Sequence, residues 1–252
     1  REIAGEKAGI IVPGVPVIYD GNDKDAAEVI AAKAKELGSP AYKVVQAGAK
    51  VLGNNKDGID FSLEDDYYGD TRFHIPFIAW YQVMNASLAL TTMEVLKDRI
   101  PVTMEQLQAG IANTRWQGRM ETILPGVIVD GAHNEDGVRR FVETAERFQK
   151  EYPLTLLFSA VNDKDYQDMI HTICSRIKFR KVVTTEVGGY REVPSAELAE
   201  IFCKEGCKDI GNSDNIEEAF HMAHEAKGED GMLFCVGSLY LVGEIKTLLL
   251  KK

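Results

Sequence analysis

Two side chains suited to acid–base or anion chemistry follow the abrupt end of an apolar run. The segment Gly126 to Gly137 reads GVIVDGAHNEDG, and its three consecutive β-branched residues are typical of a short strand buried on both faces of a parallel sheet. Asp130 ends this run, and His133 lies in the turn before Asn134, a good helix N-cap. Both side chains therefore stand at the carboxyl end of a strand beside a helix N-terminus, where open α/β sheets place anionic ligands. The residues leave one alternative open, in which Asp130 only caps the turn and His133 is an exposed loop residue.

The elements that must position these side chains alternate regularly along the second half of the chain. A helix from Gly137 to Glu151 has apolar residues at helical spacing, and later strands and helices follow in turn. This alternation predicts an α/β fold with a Rossmann-like, mostly parallel sheet covered on both faces. The predicted strands are Gly126 to Asp130, Leu154 to Ala160, Lys181 to Val187, Lys208 to Gly211 and Met232 to Val236. Of the later helices, one starts at Ser195, one starts at Ile216, and the last ends at Lys252.

The first half has a different organisation. A strand, a helix and a second strand predict a parallel β-α-β unit, and residues 50 to 75 predict a small antiparallel ribbon or hairpin pair. Two helices follow, the second with a capping signal at Thr103. The polar stretch Asn113 to Gly118 and Pro125 mark a linker, which predicts domains at 1–115 and 116–252. The predicted elements are Val15 to Tyr19, Lys24 to Leu37, Ala41 to Gln46, Phe77 to Leu96 and Thr103 to about Ala112.

Four further side chains have both a plain structural interpretation and a chemical one. Lys7 follows a glutamate in a short helix and is normally part of a solvated ion pair. Asn85 shares a helix face with Gln82, and such amides often satisfy neighbouring backbone groups. Arg119 is suited to grip phosphate oxygens, or to pair with Glu121 or another carboxylate. Ser238 lies at a strand-to-helix turn, where it suits an anion or a helix cap.

Composition excludes some classes of function. Lys and Arg number 29 against 39 Asp and Glu, and the net charge of −10 argues against a general nucleic-acid or anionic-membrane binder. The four cysteines form no CxxC pair, so we interpret them as reduced thiols rather than metal ligands or disulfides. His221 and His224 lie three apart with no evident third ligand, which favours a solvated helix face. No run of 18 apolar residues and no signal peptide is present, so we expect a soluble, cytoplasmic protein.

Several short motifs together resemble a known family. DGAHN is preceded by GRME at Gly118 to Glu121 and followed by GSLY at Gly237 to Tyr240. EKAGI near the start, QVMNA around Asn85, DKD at 163–165 and Arg191 before a helix start also match. In this order, and over essentially the whole chain, they are similar to the folylpolyglutamate synthase/dihydrofolate synthase family of Mur-type ATP-dependent amide ligases.

The resemblance implies a fold and an activity. The fold is the later part of a central ATPase-type domain followed by a Rossmann-like C-terminal glutamate ligase domain. The activity is ATP- and Mg²⁺-dependent ligation of L-glutamate to a folate or dihydropteroate carboxylate through an acyl phosphate. Developing charge would be neutralised by the metal and by basic side chains.

The resemblance also implies residue roles. Lys7 would form a carbamate that helps to hold Mg²⁺, and Asn85 would contact adenine. The remaining roles concern the nucleotide and the substrates: Arg119 for phosphate, Asp130 for a ribose hydroxyl or phosphate, His133 for the transferred phosphate, Lys164 and Arg191 for glutamate or the acyl phosphate, and Ser238 for an anion.

The chain departs from the family pattern in one respect. No G-x-x-x-x-G-K-S/T occurs in its 252 residues, and the histidine that would share the metal is absent. We therefore expect a C-terminal part of the enzyme that is inactive alone and that self-associates through the face left uncovered. A non-catalytic nucleotide-binding or structural α/β module and another Mur-type amide ligase remain as alternatives.

Overall fold

The computed structural model describes residues 1–189 and 191–250. The chain divides into two compact units, Arg1–Arg115 and Trp116–Lys252. The elements of the first unit are α1 (Glu2–Ala8), β1 (Val17–Asp20), α2 (Lys24–Glu36), β2 (Ala41–Val44), a short 3₁₀ turn (Gln46–Gly48), β3 (Ala49–Asn55), β4 (Gly58–Leu63), β5 (Phe73–Ile75), α3 (Tyr81–Val95) and α4 (Met104–Ala112).

The first unit contains the predicted β-α-β unit and the predicted antiparallel region. Strands β1 and β2 pair in parallel with α2 between them, and β3, β4 and β5 form an antiparallel sheet. The first strand begins two residues later than predicted, because Pro16 has no N–H to donate to a ladder. Thr103 caps α4 in a complete capping box with Gln106, as predicted.

Helix α3 begins four residues later than its apolar pattern indicates. Residues Phe77, Ile78 and Ala79 are all buried but lie outside the helix. Their apolar character is explained by burial alone, since periodicity does not separate a buried irregular segment from a buried helix end. The predicted helix Phe77 to Leu96 is therefore shortened to Tyr81–Val95.

The second unit is built around one six-stranded sheet. Its strand order is β10-β9-β8-β11-β7-β6, with every neighbouring pair parallel except the antiparallel edge pair of β6 and β7. The elements are β6 (Glu121–Leu124), β7 (Val127–Asp130), α5 (Glu135–Phe148), β8 (Leu154–Phe158), α6 (Tyr166–Arg176), β9 (Phe179–Thr185), α7 (Ser195–Lys204), β10 (Ile210–Ser213), α8 (Ile216–Lys227), β11 (Met232–Val236) and α9 (Leu239–Leu250).

Helices cover both faces of this sheet, as the alternating pattern predicts. On one face, α8 and α9 pack against alternate residues of β7, β8 and β11 in a single apolar cluster. On the other face, Phe141 of α5 contacts Phe234 of β11 with ring centroids 5.5 Å apart, and Phe202 of α7 contacts Phe158 of β8 at 5.3 Å. Each such fully buried side chain stabilises the fold by about 1.5–3 kcal/mol. The sheet is thus a rigid frame for the loops at its ends.

Two features of the second unit were not predicted. Edge strand β6 has only four residues, two of them polar, so its sequence pattern does not indicate a strand. It pairs antiparallel with β7, which makes the sheet mixed. The last strand, β11, lies between β7 and β8 and not at an edge. Lys251 and Lys252, included in the last predicted helix, lie outside the described residues. Within the described residues, no helix is both long and apolar enough to cross a membrane.

Candidate functional site

The turn after β7 is fixed by the buried carboxylate of Asp130. Its side chain is 4% exposed and accepts hydrogen bonds from the backbone N–H of Met120 at 2.8 Å and of Ala132 at 2.8 Å. The backbone N–H of Gly131 also donates to the carbonyl of Gly118 at 2.8 Å. The GRME segment and the DGAHN turn are therefore joined into one structure, in which Met120 has the unusual φ of +48°.

Burial dominates the electrostatics of Asp130. Desolvation raises the pKa of its carboxyl to about 6, although the N–H donors of Met120 and Ala132 and the charges of Arg119 and His133 lower it. Since both oxygens are bonded to backbone donors, the geometry favours a positioning role for Asp130. It holds in place the two segments that carry Arg119 and His133.

His133 has a defined orientation. Its Nδ1 lies 2.7 Å from the carbonyl oxygen of Gly131. Because a carbonyl only accepts, the contact assigns the proton to Nδ1 and leaves Nε2 of the half-buried ring to meet a ligand. Asn134 then caps α5 by accepting from the N–H of Gly137 at 2.9 Å, as predicted.

Arg119 does not pair with Glu121, the alternative partner that the sequence suggested. The carboxylate of Glu121 instead accepts from Lys246 Nζ at 2.8 and 3.1 Å and from the backbone N–H of Gly118 at 2.8 Å. Arg119 is half-buried and makes no hydrogen bond with any residue that the structure describes. Its guanidinium, placed beside Asp130, keeps its donors for an anion.

The strand order brings four loops to one edge of the sheet. Strands β7, β11, β8 and β9 are consecutive neighbours and run parallel, so the loops at their carboxyl ends lie side by side. We call the described residues around the ends of these four strands the carboxyl rim: residues 130–134, 237–240, 159–165, 186–189 and 191–194. It contains five of the predicted site residues, namely Asp130, His133, Lys164, Arg191 and Ser238.

Arg191 ties three of these segments together. Its NH1 donates to Asp163 Oδ2 at 2.9 Å, and its NH2 donates to the hydroxyl of Tyr240 at 2.9 Å. The backbone supports the same contact, since the N–H of Asn162 donates to the carbonyl of Arg191 at 2.8 Å. The side chain of Lys164, next to Asp163, is half-buried and has no hydrogen bond or ion pair within the described residues.

Ser238 has the structural role that the sequence left open. Its side chain is 2% exposed, and its hydroxyl oxygen accepts from the backbone N–H of Tyr240 at 3.1 Å. This bond caps the start of α9. The hydroxyl proton is still able to donate, so the cap does not exclude a second partner.

Two predicted residues lie in the first unit. Asn85 is exposed on α3, and its Nδ2 donates to Oε1 of the buried Gln82 at 2.8 Å. This bond fixes the amide plane and leaves Oδ1 and one N–H for a ligand. Lys7 is exposed in the last turn of α1, where a cation is favoured by the helix dipole.

The described residues do not fit a magnesium site by themselves. Nowhere in ranges 1–189 and 191–250 do three His, Cys, Asp or Glu side chains come together around a metal-sized position. Lys7 is exposed in the last turn of α1, and no such group surrounds it among the described residues. A hard cation that requires several oxygen ligands is therefore not explained by these side chains alone.

Sequence reasoning missed three partners in the second unit. Asp163 belongs to the DKD motif and Tyr240 to the GSLY motif, and their sequence context assigns neither a role of its own, but both hold Arg191. Lys246, the partner of Glu121, lies in α9 without any local signal. The role of Tyr240 had one signal in the sequence, which is its position two residues after Ser238, just after the end of a predicted strand.

Known proteins match the chain over most of its length. Residues 118–239 match the family described as Mur ligase, glutamate ligase domain. A dihydrofolate synthase/folylpolyglutamate synthase of Bacillus subtilis is 30% identical over 259 residues, covering 98% of this chain and 57% of that protein. A folylpolyglutamate synthase of Lacticaseibacillus casei is also 30% identical, with the same coverage. The chain therefore spans about half the length of the curated relatives it matches.

Solved structures show the same architecture. A folylpolyglutamate synthase of Thermotoga maritima has a TM-score of 0.81 at 25% identity, over 99% of this chain and 57% of that one. The Mycobacterium tuberculosis folylpolyglutamate synthase, solved with ADP and AMPPCP, has a TM-score of 0.75 at 24% identity, over 98% and 59%. Residues 118–239 thus match the Mur ligase glutamate ligase domain, and the chain as a whole is similar to folylpolyglutamate synthases and dihydrofolate synthases over about half of their length.

Proposed function

We propose that the protein containing this chain joins L-glutamate to a folate or dihydropteroate carboxylate at the expense of ATP. The observation that carries the proposal is the carboxyl rim, where four neighbouring parallel strands present His133, Lys164, Arg191 and Ser238 together. The names of the relatives and the ADP and AMPPCP bound to the M. tuberculosis enzyme support it.

The proposed reaction has two steps. An oxygen of the acceptor carboxylate attacks the γ-phosphorus of ATP, which breaks the bond to the β–γ bridging oxygen and releases ADP. The glutamate nitrogen then attacks the carbonyl carbon of the acyl phosphate, inorganic phosphate leaves, and the nitrogen loses a proton to form the amide. Both steps move negative charge on phosphate oxygens, so positioned donors lower the barrier.

The side chains of the second unit suit this chemistry. Arg119 offers guanidinium donors to phosphate oxygens from a position fixed by the Met120–Asp130 bond. His133 directs Nε2 away from its bonded Nδ1 and, in the proposal, meets the transferred phosphate. Asp130 orients both residues and does not itself contact ATP in this account.

Substrate glutamate carries two carboxylates, and the rim offers it cations. In the proposal, Lys164 and Arg191 receive these carboxylates, with Asp163 and Tyr240 holding the guanidinium of Arg191. Ser238 donates its hydroxyl proton to an anion next to its capping bond.

Adenine recognition is assigned to Asn85 in the first unit. A side-chain amide pairs with the N–H donor and ring-nitrogen acceptor of adenine through one acceptor and one donor. Asn85 has both, because Gln82 uses only one of its N–H groups. Mg²⁺ binding by a carbamylated Lys7 is implied by the family resemblance, but the described residues do not fit it, and no step above relies on the metal.

The proposal extends to the location and partners of the protein. The protein acts in the cytoplasm on small molecules, without nucleic-acid or membrane partners. The isolated chain self-associates through apolar side chains of the first unit that stand in solvent, such as Ile10, 81% exposed, and Val12, 56% exposed.

The test is a ligation assay on the full-length protein that contains this chain. Radiolabelled glutamate should enter a dihydropteroate or tetrahydrofolate acceptor only with ATP, with one ADP formed per amide. Another Mur-type ligase would instead prefer a different amino acid or acceptor. A non-catalytic module would form neither amide nor ADP, and either result would overturn the proposal.

A further inference from the structure

We propose that Cys174 and Cys207 are a thiol pair that closes reversibly into a disulfide when a small-molecule disulfide oxidises the protein. Their sulfur atoms lie 3.7 Å apart although the residues are 33 positions apart in the chain. Both are free thiols in the structure and both are partly exposed. The inference is independent of the proposed ligase function.

The backbone holds both cysteines in place. Cys174 lies in α6, and Cys207 follows α7, where its N–H donates to the carbonyl of Phe202 at 3.1 Å. A second contact joins the same two elements, since His171 Nδ1 lies 3.0 Å from Glu205 Oε2. Because two adjacent contacts keep α6 beside the end of α7, the sulfurs need only side-chain rotation and a small closure to reach bonding distance.

The pair has distinct roles in the reaction. The hydrogen bond between the two thiols lowers the pKa of Cys207, whereas the same bond and burial raise the pKa of Cys174. Cys207 also lies outside the helices, after the end of α7, whereas Cys174 lies within α6, so we assign Cys207 as the first nucleophile. The side chain of Cys207 is partly exposed, so a small-molecule disulfide such as oxidised glutathione can reach it.

The exchange balances in two steps. The Cys207 thiolate attacks one sulfur of oxidised glutathione, the glutathione disulfide bond breaks, and one glutathione thiolate leaves. The Cys174 thiol loses its proton to solvent, attacks the Cys207 sulfur of the mixed disulfide and releases the second glutathione. The two cysteines lose two electrons together, and the glutathione disulfide gains them.

The closed ring includes the part of the carboxyl rim that carries Arg191. Residues 174–207 contain β9, the described parts of the 186–194 segment and α7. A cross-link over this span removes conformational freedom from the unfolded chain, which raises Tm. The other two cysteines are natural controls, because Cys203 is exposed on α7 and Cys235 is fully buried in β11.

The test equilibrates the 252-residue chain in glutathione buffers of increasing oxidation, followed by alkylation and mass spectrometry of non-reduced digests. We expect one intramolecular disulfide between the peptides of Cys174 and Cys207, with the protein about 2 Da lighter. We also expect Tm to rise by about 5–10 °C. C203S should behave like the wild type. Two results would contradict the proposed disulfide. One is that all four thiols can still be alkylated after oxidation, and the other is that glutathione is found on Cys203 alone.

Single variants separate the two roles without requiring the cross-link. C174S should stop at a mixed disulfide on Cys207, since no second thiol resolves it. C207S should leave Cys174 largely unmodified over the same time. If C174S and C207S take up glutathione at the same rate, the assignment of Cys207 as first nucleophile is wrong.

Discussion

The carboxylate of Asp130 accepts a hydrogen bond from the backbone N–H of Met120, ten residues earlier, at 2.8 Å. This bond joins the end of strand β7 to the segment that carries Arg119. A second bond, to the N–H of Ala132, holds the turn that carries His133. One buried carboxylate therefore sets the spacing of two side chains assigned to phosphate.

Folding stability should reflect the raised pKa of Asp130. The carboxyl of Asp130 has a pKa of about 6 in the folded state, above its ordinary value of 3.8. The folded state is therefore destabilised as pH rises from 3.8 through about 6. The full loss of stability that this pKa difference produces is about 3 kcal/mol. We therefore expect the stability of the wild type relative to D130N to fall by about 2 kcal/mol between pH 4 and pH 7, measured by urea unfolding.

The matched control is D136N. The hydrogen bond from Arg139 lowers the pKa of Asp136, so its contribution has the opposite sign and increases as pH rises through and above the folded-state pKa. A wild-type advantage over D130N that does not change with pH would show that Asp130 is not a desolvated acid.

A side chain at Gly237 should destabilise the fold, because the backbone after β11 lies close to the backbone after β8 at this position. Its φ is +114°, and a Cβ there would lie 2.0 Å from the carbonyl oxygen of Ser159. We expect G237A to destabilise the chain by about 3 kcal/mol or more, since a backbone atom must move. G243A, in α9 with no atom within 4 Å of the added Cβ, should be neutral or stabilising by about 0.5–1 kcal/mol. Thermal unfolding of both variants decides it, and equal Tm values would be inconsistent with this packing.

The hydroxyl of Tyr240 should matter for glutamate binding. Y240F removes the hydrogen bond of 2.9 Å that the tyrosine hydroxyl accepts from Arg191. Such a bond contributes about 1 kcal/mol. KM for glutamate should therefore rise about fivefold, with kcat little changed. Y166F is the control, because the Tyr166 hydroxyl bonds to Glu197 at 2.7 Å, outside the carboxyl rim. The measurement is initial-rate kinetics on the full-length protein, and identical KM values for Y240F and wild type would exclude the positioning role.

The 252-residue chain by itself should not hydrolyse ATP or ligate glutamate above background. No G-x-x-x-x-G-K-S/T occurs in it, so it lacks the loop of backbone N–H groups and the lysine that cradle the β- and γ-phosphates. ATP turnover by the purified chain, measured by phosphate release, would place a phosphate site somewhere else in these residues.

The sequence predicted what depends on local pattern. The β-branched run before Asp130, the Asn134 cap and the Thr103 capping box are signals within a few residues, and all three are found in the structure. The position of β11 between β7 and β8 is not encoded locally, because strand order depends on which helices cross which face. For the same reason, the contact of Tyr240 with Arg191, 49 residues apart, could not be predicted. The burial of Asp130 could not be predicted either, because it is a property of the packed sheet and not of the neighbouring residues in the sequence.

We propose that the carboxyl rim and Arg119 form the ligase site. The most direct measurement is ATP-dependent glutamate incorporation by the full-length protein carrying H133A or R119A, with R139A as control. Arg139 lies on α5 and pairs with Asp136 on the surface. We expect kcat to fall about 100-fold or more in H133A and R119A, because each removes a group that stabilises transition-state charge. R139A should have wild-type rates. Wild-type rates in all three variants would contradict it.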